Sequence, residues 1–155
     1  MPDDTQEGLP LYFRLFNEVA IIAQLSRAMF EMRLPDGLLV SHFSVVNHLI
    51  RVTDGQTPLD LARAFQVPKT TMTHTLAGLE AQGLVETRPN PRDKRSKQVW
   101  LTEKGRIFRD TAVEALAPEL EWLAGEVPAD GMAELVAGLE QVRKLLDARR
   151  DGSTG

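Results

Sequence analysis

The chain has 155 residues, with 18 Lys and Arg against 22 Asp and Glu for a formal net charge of −4, and 43% of it is hydrophobic. That suits one domain, or one compact lobe with an added assembly element, and it supplies enough apolar surface for a core. The absence of cysteine excludes disulfides, thiolate zinc sites and thiol redox sensing. The acidic, polar start MPDDTQEG is unlike a secretory signal, and no apolar run nears the ~18 residues of a membrane helix. A soluble, cytoplasmic protein with no membrane partner is therefore expected.

Residues 1–8 and 150–155 read as a disordered N-terminus and a flexible tail. Over 9–33 the spacing of Leu11, Leu15, Val19, Ile22 and Met29 predicts a helix, which Pro35, Asp36 and Gly37 end. Ser41 is the expected N-cap of a second helix to Arg51, with Phe43, Val46, Leu49 and Ile50 as its buried stripe. Thr57 before Pro58 marks the start of a short helix whose inward face should be Leu59, Ala62 and Phe65. A three-residue turn leads to another helix, opened by Pro68 and stopped at Gly83. Two helices so joined form a helix-turn-helix.

On that last helix Met72, Leu76 and Leu79 fall on one side at about 100° per residue. Thr70 and His74 lie opposite, with Thr71 and Thr73 on the flanks. Hydroxyls and an imidazole near a helix start can meet base edges or phosphates in a major groove, and Lys69 with the first-turn N–H groups favours a phosphate. Threonines there also serve as caps or face water, so this face alone does not decide the matter.

The stretch LVETRPNPRDKRSKQVWLTEKG, residues 84–105, reads as two short strands around a tight basic loop, then a helix start. Between residues 84 and 109 eight basic residues stand against three acidic ones; the rest of the chain holds ten basic and nineteen acidic. Attraction to phosphate is thus concentrated on Arg88, Arg92, Lys94, Arg95 and Lys97. A hairpin with an arginine-bearing tip after a helix-turn-helix is the wing of a winged helix, and such a tip can enter the narrow minor groove. Thr102 should cap a long helix to about Gly125, kinked or split by Pro118. Past a corner at 127–129, a final helix carries Leu135, Leu139, Val142 and Leu146. The expected fold is mostly α with a small β-wing: a winged helix-turn-helix over 38–103, flanked by helical dimerisation regions at 9–33 and 104–149.

The wing pattern Asp93, Arg95, Val99, Leu101, Thr102 and Gly105, set behind the helix-turn-helix, resembles the MarR (multiple antibiotic resistance regulator) family of bacterial transcription factors. The likeness covers residues 9–148. It implies a homodimer whose first and last helices interlock, reading a pseudo-palindromic operator in double-stranded DNA, as a nucleoid-associated protein and most often a repressor. It further implies that Arg95 enters the minor groove and that Asp93 pairs with an arginine to hold the tip. Arg88 and Arg92 are then supporting or phosphate contacts. The chain departs from the family at His74, where arginine is common, so readout there is expected to be weaker or sensitive to protonation.

Family members often respond to a small aromatic or phenolic anion, and Phe16, His42 and Phe43 are candidates to line such an effector site. His42 follows the expected cap, where a helix N-terminus favours an anion; the plainer reading makes Phe16 and Phe43 core and His42 an exposed first-turn residue. His42 and His48 are six residues apart and cannot share a metal. No glycine-rich phosphate loop, nucleophile–histidine signature or metal-ligand cluster is present in the sequence, so no enzyme, catalytic residue, metal or cofactor is expected. The alternative function is a winged-helix protein-interaction module that does not touch DNA, for which the overall acidity speaks.

Overall fold

The computed structural model describes residues 4–152, with side chains from residue 8 on. In chain order the described residues form α1 (Asp4–Glu31), α2 (Val40–Arg51), α3 (Pro58–Phe65), α4 (Lys69–Ala81), β1 (Val85–Pro89), β2 (Lys97–Leu101), α5 (Glu103–Ala115), α6 (Ala117–Glu126) and α7 (Ala129–Gly152). The chain divides into two compact units between Ala115 and Leu116. Helix α1 takes in residues 4–8 of the segment expected to be disordered, and α7 takes in 150–152 of the expected tail. Both additions extend a formed helix, which costs far less than nucleating one. Residues 1–3 and 153–155 lie outside the described residues.

The first unit is built on α2, whose start departs from expectation. Ser41 is its second residue, and the cap position falls on Leu39, which has no side-chain oxygen to offer. The Leu39 backbone N–H instead donates to His42 Nδ1 at 2.9 Å, the reach-back of a third-position side chain to a cap. The Val40 N–H donates to Glu31 Oε1 at 3.3 Å, closing the turn from α1. Helix α3 starts as the sequence predicts: Thr57 Oγ1 accepts from the Asp60 N–H at 3.1 Å, with Pro58 next in line. Of its expected inward face Ala62 is buried, but Leu61 rather than Leu59 goes in with it, Leu59 being 44% exposed. Eight residues are about two turns, too few repeats for periodicity to fix which side faces in.

Met72, Leu76 and Leu79 of α4 join Val45, Val46 and Leu49 of α2, together with Leu61, Ala62, Val85, Val99 and Phe108, in one buried core. The α3–α4 turn passes through Gln66 at φ 53, and the chain leaves α4 through Gly83 at φ 72. In the wing Val85 lies opposite Leu101 and Pro89 opposite Lys97. Its root is pinned to the α2–α3 connection: the Val99 N–H donates to Gln56 O at 2.8 Å and the Gly55 N–H to Val99 O at 3.0 Å. Asp54 Oδ1 accepts from the Leu101 N–H at 3.0 Å. Gly55, at φ 72, leaves room for the Trp100 ring, whose nearest atom would lie 2.5 Å from a Cβ there.

Thr102 caps α5 as expected, its Oγ1 accepting from the Gly105 N–H at 3.0 Å while donating to Gly83 O at 2.6 Å. The helix beyond it is split, one of the two outcomes expected of Pro118: α5 ends at Ala115 and Pro118 sits in the first turn of α6. A proline ring clashes with the carbonyl four residues back, so the helix restarts rather than continues. In the second unit α6 and α7 contain no buried residue. Leu120, Leu123, Val127, Met132 and Val136 line an open groove of about 710 Å³. On α1, Leu11, Phe13, Phe16, Val19 and Ile22 are likewise exposed. Among the described residues no helix is long and apolar enough to cross a membrane.

Candidate nucleic-acid interface

Lys69, Thr70, Thr71, Thr73 and His74 are all exposed at the start of α4. The cap position is Pro68, which offers no side-chain hydrogen bond, so the first-turn N–H groups keep their positive potential facing outward. Thr73 Oγ1 donates to Lys69 O at 2.9 Å, which leaves its lone pairs for an incoming donor. Thr75 is the threonine turned into the core; its hydroxyl donates to Thr71 O at 3.1 Å and is thereby satisfied.

The wing tip is two β-turns in tandem. The Asp93 N–H donates to Asn90 O at 3.3 Å and the Ser96 N–H to Asp93 O at 3.2 Å, so Asp93 ends one turn and begins the next. Each turn opens on a side-chain clasp two residues forward: Asn90 Oδ1 accepts from the Arg92 N–H at 3.0 Å, and Asp93 Oδ1 from the Arg95 N–H at 2.9 Å. Asx residues favour such turns for this reason, and Pro91 suits the second place of the first. Arg92 and Arg95 therefore occupy equivalent positions in successive turns. Among the described residues, the side chains of Arg92, Lys94, Arg95 and Lys97 are exposed and meet no acidic partner. The signal for this repeat stands in the sequence as Asn-Pro-Arg-Asp-Lys-Arg-Ser, where the density of charge hides the turn pattern.

Two expectations for the wing need correction. Asp93 holds the tip by accepting the backbone N–H of Arg95 rather than by pairing with a guanidinium; a two-residue step brings that N–H to the carboxylate without ordering a long side chain. Arg88 is not a free cation: Nε donates to Glu86 Oε1 at 2.8 Å, Nη2 contacts the same oxygen, and the guanidinium carbon lies 5.1 Å from the Trp100 ring centroid. Alternate residues of one strand share a face, which brings Glu86 to Arg88. Arg88 thus braces the wing root.

A family model described as the MarR family matches residues 36–96, the span from the approach to α2 through the tip of the wing. The transcriptional activatory protein BadR of Rhodopseudomonas palustris is 28% identical over 151 residues, covering 94% of this chain and 83% of that protein. The crystal structure of the transcriptional regulator BldR from Sulfolobus solfataricus superposes with a TM-score of 0.73 at 26% identity, covering 92% of this chain and 98% of that one. A mutant MarR from E. coli in complex with operator DNA matches with a TM-score of 0.68 at 27% identity, covering 90% and 98% respectively. Over residues 36–96 the chain is similar to the MarR family. BadR and BldR are both named for transcriptional roles.

The three residues expected to line an effector site do not assemble. Phe43 packs edge-on against Phe30, with ring centroids 4.5 Å apart, and against Phe108 at 6.4 Å. Phe16 precedes Phe30 by fourteen residues on α1, roughly 21 Å along the axis at 1.5 Å per residue, and is 52% exposed. His42 is not an exposed first-turn residue: its residue surface is only 9% accessible and its Nδ1 accepts the Leu39 N–H. Burial, and after it the charge of nearby His74, hold the His42 imidazole below its ordinary pKa. His48 lies 3.0 Å from Gln56 Oε1 through its Nε2. No metal-binding cluster occurs among the described residues.

Proposed function

We propose that this chain is a MarR-family transcription regulator that works as a homodimer, setting two copies of α4 and the wing on a pseudo-palindromic operator in double-stranded DNA. Residues 38–103 form the DNA-binding lobe, and 9–33 with 104–149 carry the dimerisation helices. The observation that carries this reading is the tandem-turn tip, which holds Arg92 and Arg95 in matched positions on the lobe that also exposes the uncapped start of α4. The apolar residues left open on α1, α6 and α7 speak for the second copy. Two-fold symmetry then places the reading helices about 34–36 Å apart, in successive major grooves. The solved E. coli relative with operator DNA supports the partner class, and such a protein works in the cytoplasm at the nucleoid.

Arg95→Ala should weaken binding to a duplex that the wild-type protein selects from a randomised pool. It should also lower the log–log salt slope by about 0.9, the change expected when one phosphate is no longer neutralised. Unchanged affinity and slope would remove the wing from the mechanism. Repression follows if the operator overlaps a promoter. Activation is the second reading, favoured by the name of the BadR relative; a reporter gene in cells with and without the protein decides between them.

An effector belongs to the same reading, and the first unit offers a better place for it than Phe16, His42 and Phe43. A cleft of about 340 Å³ is lined by Leu38, Leu84, Ile107 and Phe108, with Arg33 and Lys104 in its wall. Apolar walls and cationic side chains suit a small aromatic acid. Arg33→Ala should abolish any thermal shift such acids produce, and a shift that survives would place them elsewhere.

A further inference from the structure

We propose that His42 is a positioning residue for DNA reading: its ring is a strut between α2 and α4 that sets where the reading face of α4 stands. The inference rests on the DNA-reading role of α4 given above. One end of the ring is fixed, because Nδ1 accepts the Leu39 N–H at 2.9 Å, which leaves the ring proton of the neutral imidazole on Nε2. The other end abuts α4. A Cβ built on Gly78 would lie 2.8 Å from His42 Nε2 and 3.5 Å from Cδ2, closer than a carbon can approach that nitrogen without one of them moving. Gly78 follows His74 by one helical turn, on the same side of α4. The strut therefore meets α4 on the side that carries the exposed imidazole.

Glycine within a 13-residue helix is a cost, since it loses more backbone freedom on folding than alanine does. The His42 ring accounts for it: no other residue leaves the ring its seat. The turn that holds the ring is itself anchored, since Glu31 Oε1 accepts the Val40 N–H. The end of α1, the start of α2 and the last turn of α4 are thus linked through one imidazole, and the angle of α4 follows from where that imidazole sits.

The test uses the full chain and the duplex selected by the wild-type protein. Gly78→Ala should bind that duplex about tenfold more weakly, equivalent to forfeiting one base interaction, while its melting temperature stays level or rises. His42→Ala should also bind weakly, and adding Gly78→Ala to it should cost nothing more, because the new methyl then enters space the ring has left. His42→Gln should restore most of the affinity, its carboxamide oxygen reaching the Leu39 N–H as in a capping box. If Gly78→Ala loses the same factor with and without His42, the methyl is meeting DNA directly and the strut is wrong. Nitrogen NMR of the imidazole gives a reading that needs no DNA: a proton on Nδ1 in the free protein at neutral pH would overturn the proposal. A wild-type protein that selects no duplex sinks the DNA-reading role itself, a different outcome from absent coupling in one that does.

Discussion

The winged lobe and the flanking helices solve the burial problem in opposite ways. In the lobe, Val46, Leu49, Leu61, Leu79 and Val99 are all but sealed from water, and side-chain clasps at Thr57, Asp54 and Thr102 fasten its turns. In α6 and α7 nothing is buried, and α1 shows Phe13 at 72% exposure beside Phe16 and Ile22. A helix gains most of its stability from packing its apolar stripe. The lobe buries its apolar stripes within a single chain, whereas the flanking helices leave theirs open to water.

The largest effect that would break this contrast comes from the flanks. Leu135 and Leu146 lie eleven residues apart and so on one side of α7; Leu135→Glu with Leu146→Glu should leave a monomer and weaken operator binding about 100-fold, because the second, linked site is gone. Light scattering checks the mass, and a dimer that persists would assign those leucines to the chain's own fold. Next comes the lobe: Leu61→Ala should cost about 2–5 kcal/mol, as for a fully enclosed leucine, read by denaturant unfolding. A loss under about 1 kcal/mol would show that the lobe is not sealed on its own. Thr57→Ala should cost about 1 kcal/mol by removing the cap, with Thr57→Ser retaining most of it.

The smallest effect sharpens the contrast through pH. His42 is held below the ordinary imidazole value of 6.5, first by burial and then by His74. The unfolded chain therefore takes up the proton before the folded one, so the stability contributed by neutral His42 is fully present above 6.5 and is lost as pH falls through the folded value. Melting temperature should decline on acidification below 6.5, and His42→Gln should flatten that decline. A slope unaltered by the substitution would put the effect on other groups.

The parts of the fold legible in the sequence were those with local causes. Thr57–Pro58, Gly83 and Pro118 act within their own turns, and helix starts, stops and the break followed from them. The stripe of α4 was legible because thirteen residues give the period enough repeats; that of α3 was not, because eight do not. The basic character of the wing was visible, but the fate of Arg88 depended on Glu86 and on Trp100, which reaches it across the sheet. The cap of α2 was hidden for a related reason: a serine near the expected start outweighed a histidine three residues past the true cap. The lock between His42 and Gly78 joins two residues far apart in the chain that no spacing rule connects. The effector residues failed similarly, since nothing in a linear pattern tells that Phe43 of α2 packs at the far end of α1 from Phe16.

One hydroxyl ties the exit of α4 to the entry of α5: Thr102 donates to the carbonyl of Gly83 and accepts the amide of Gly105. Beside it Lys104 Nζ donates to Gln82 O at 2.8 Å. Neither helix can pivot without dragging its neighbour's terminus. Torque applied to α5 is thus delivered to the tail of α4 rather than absorbed as slack in the junction.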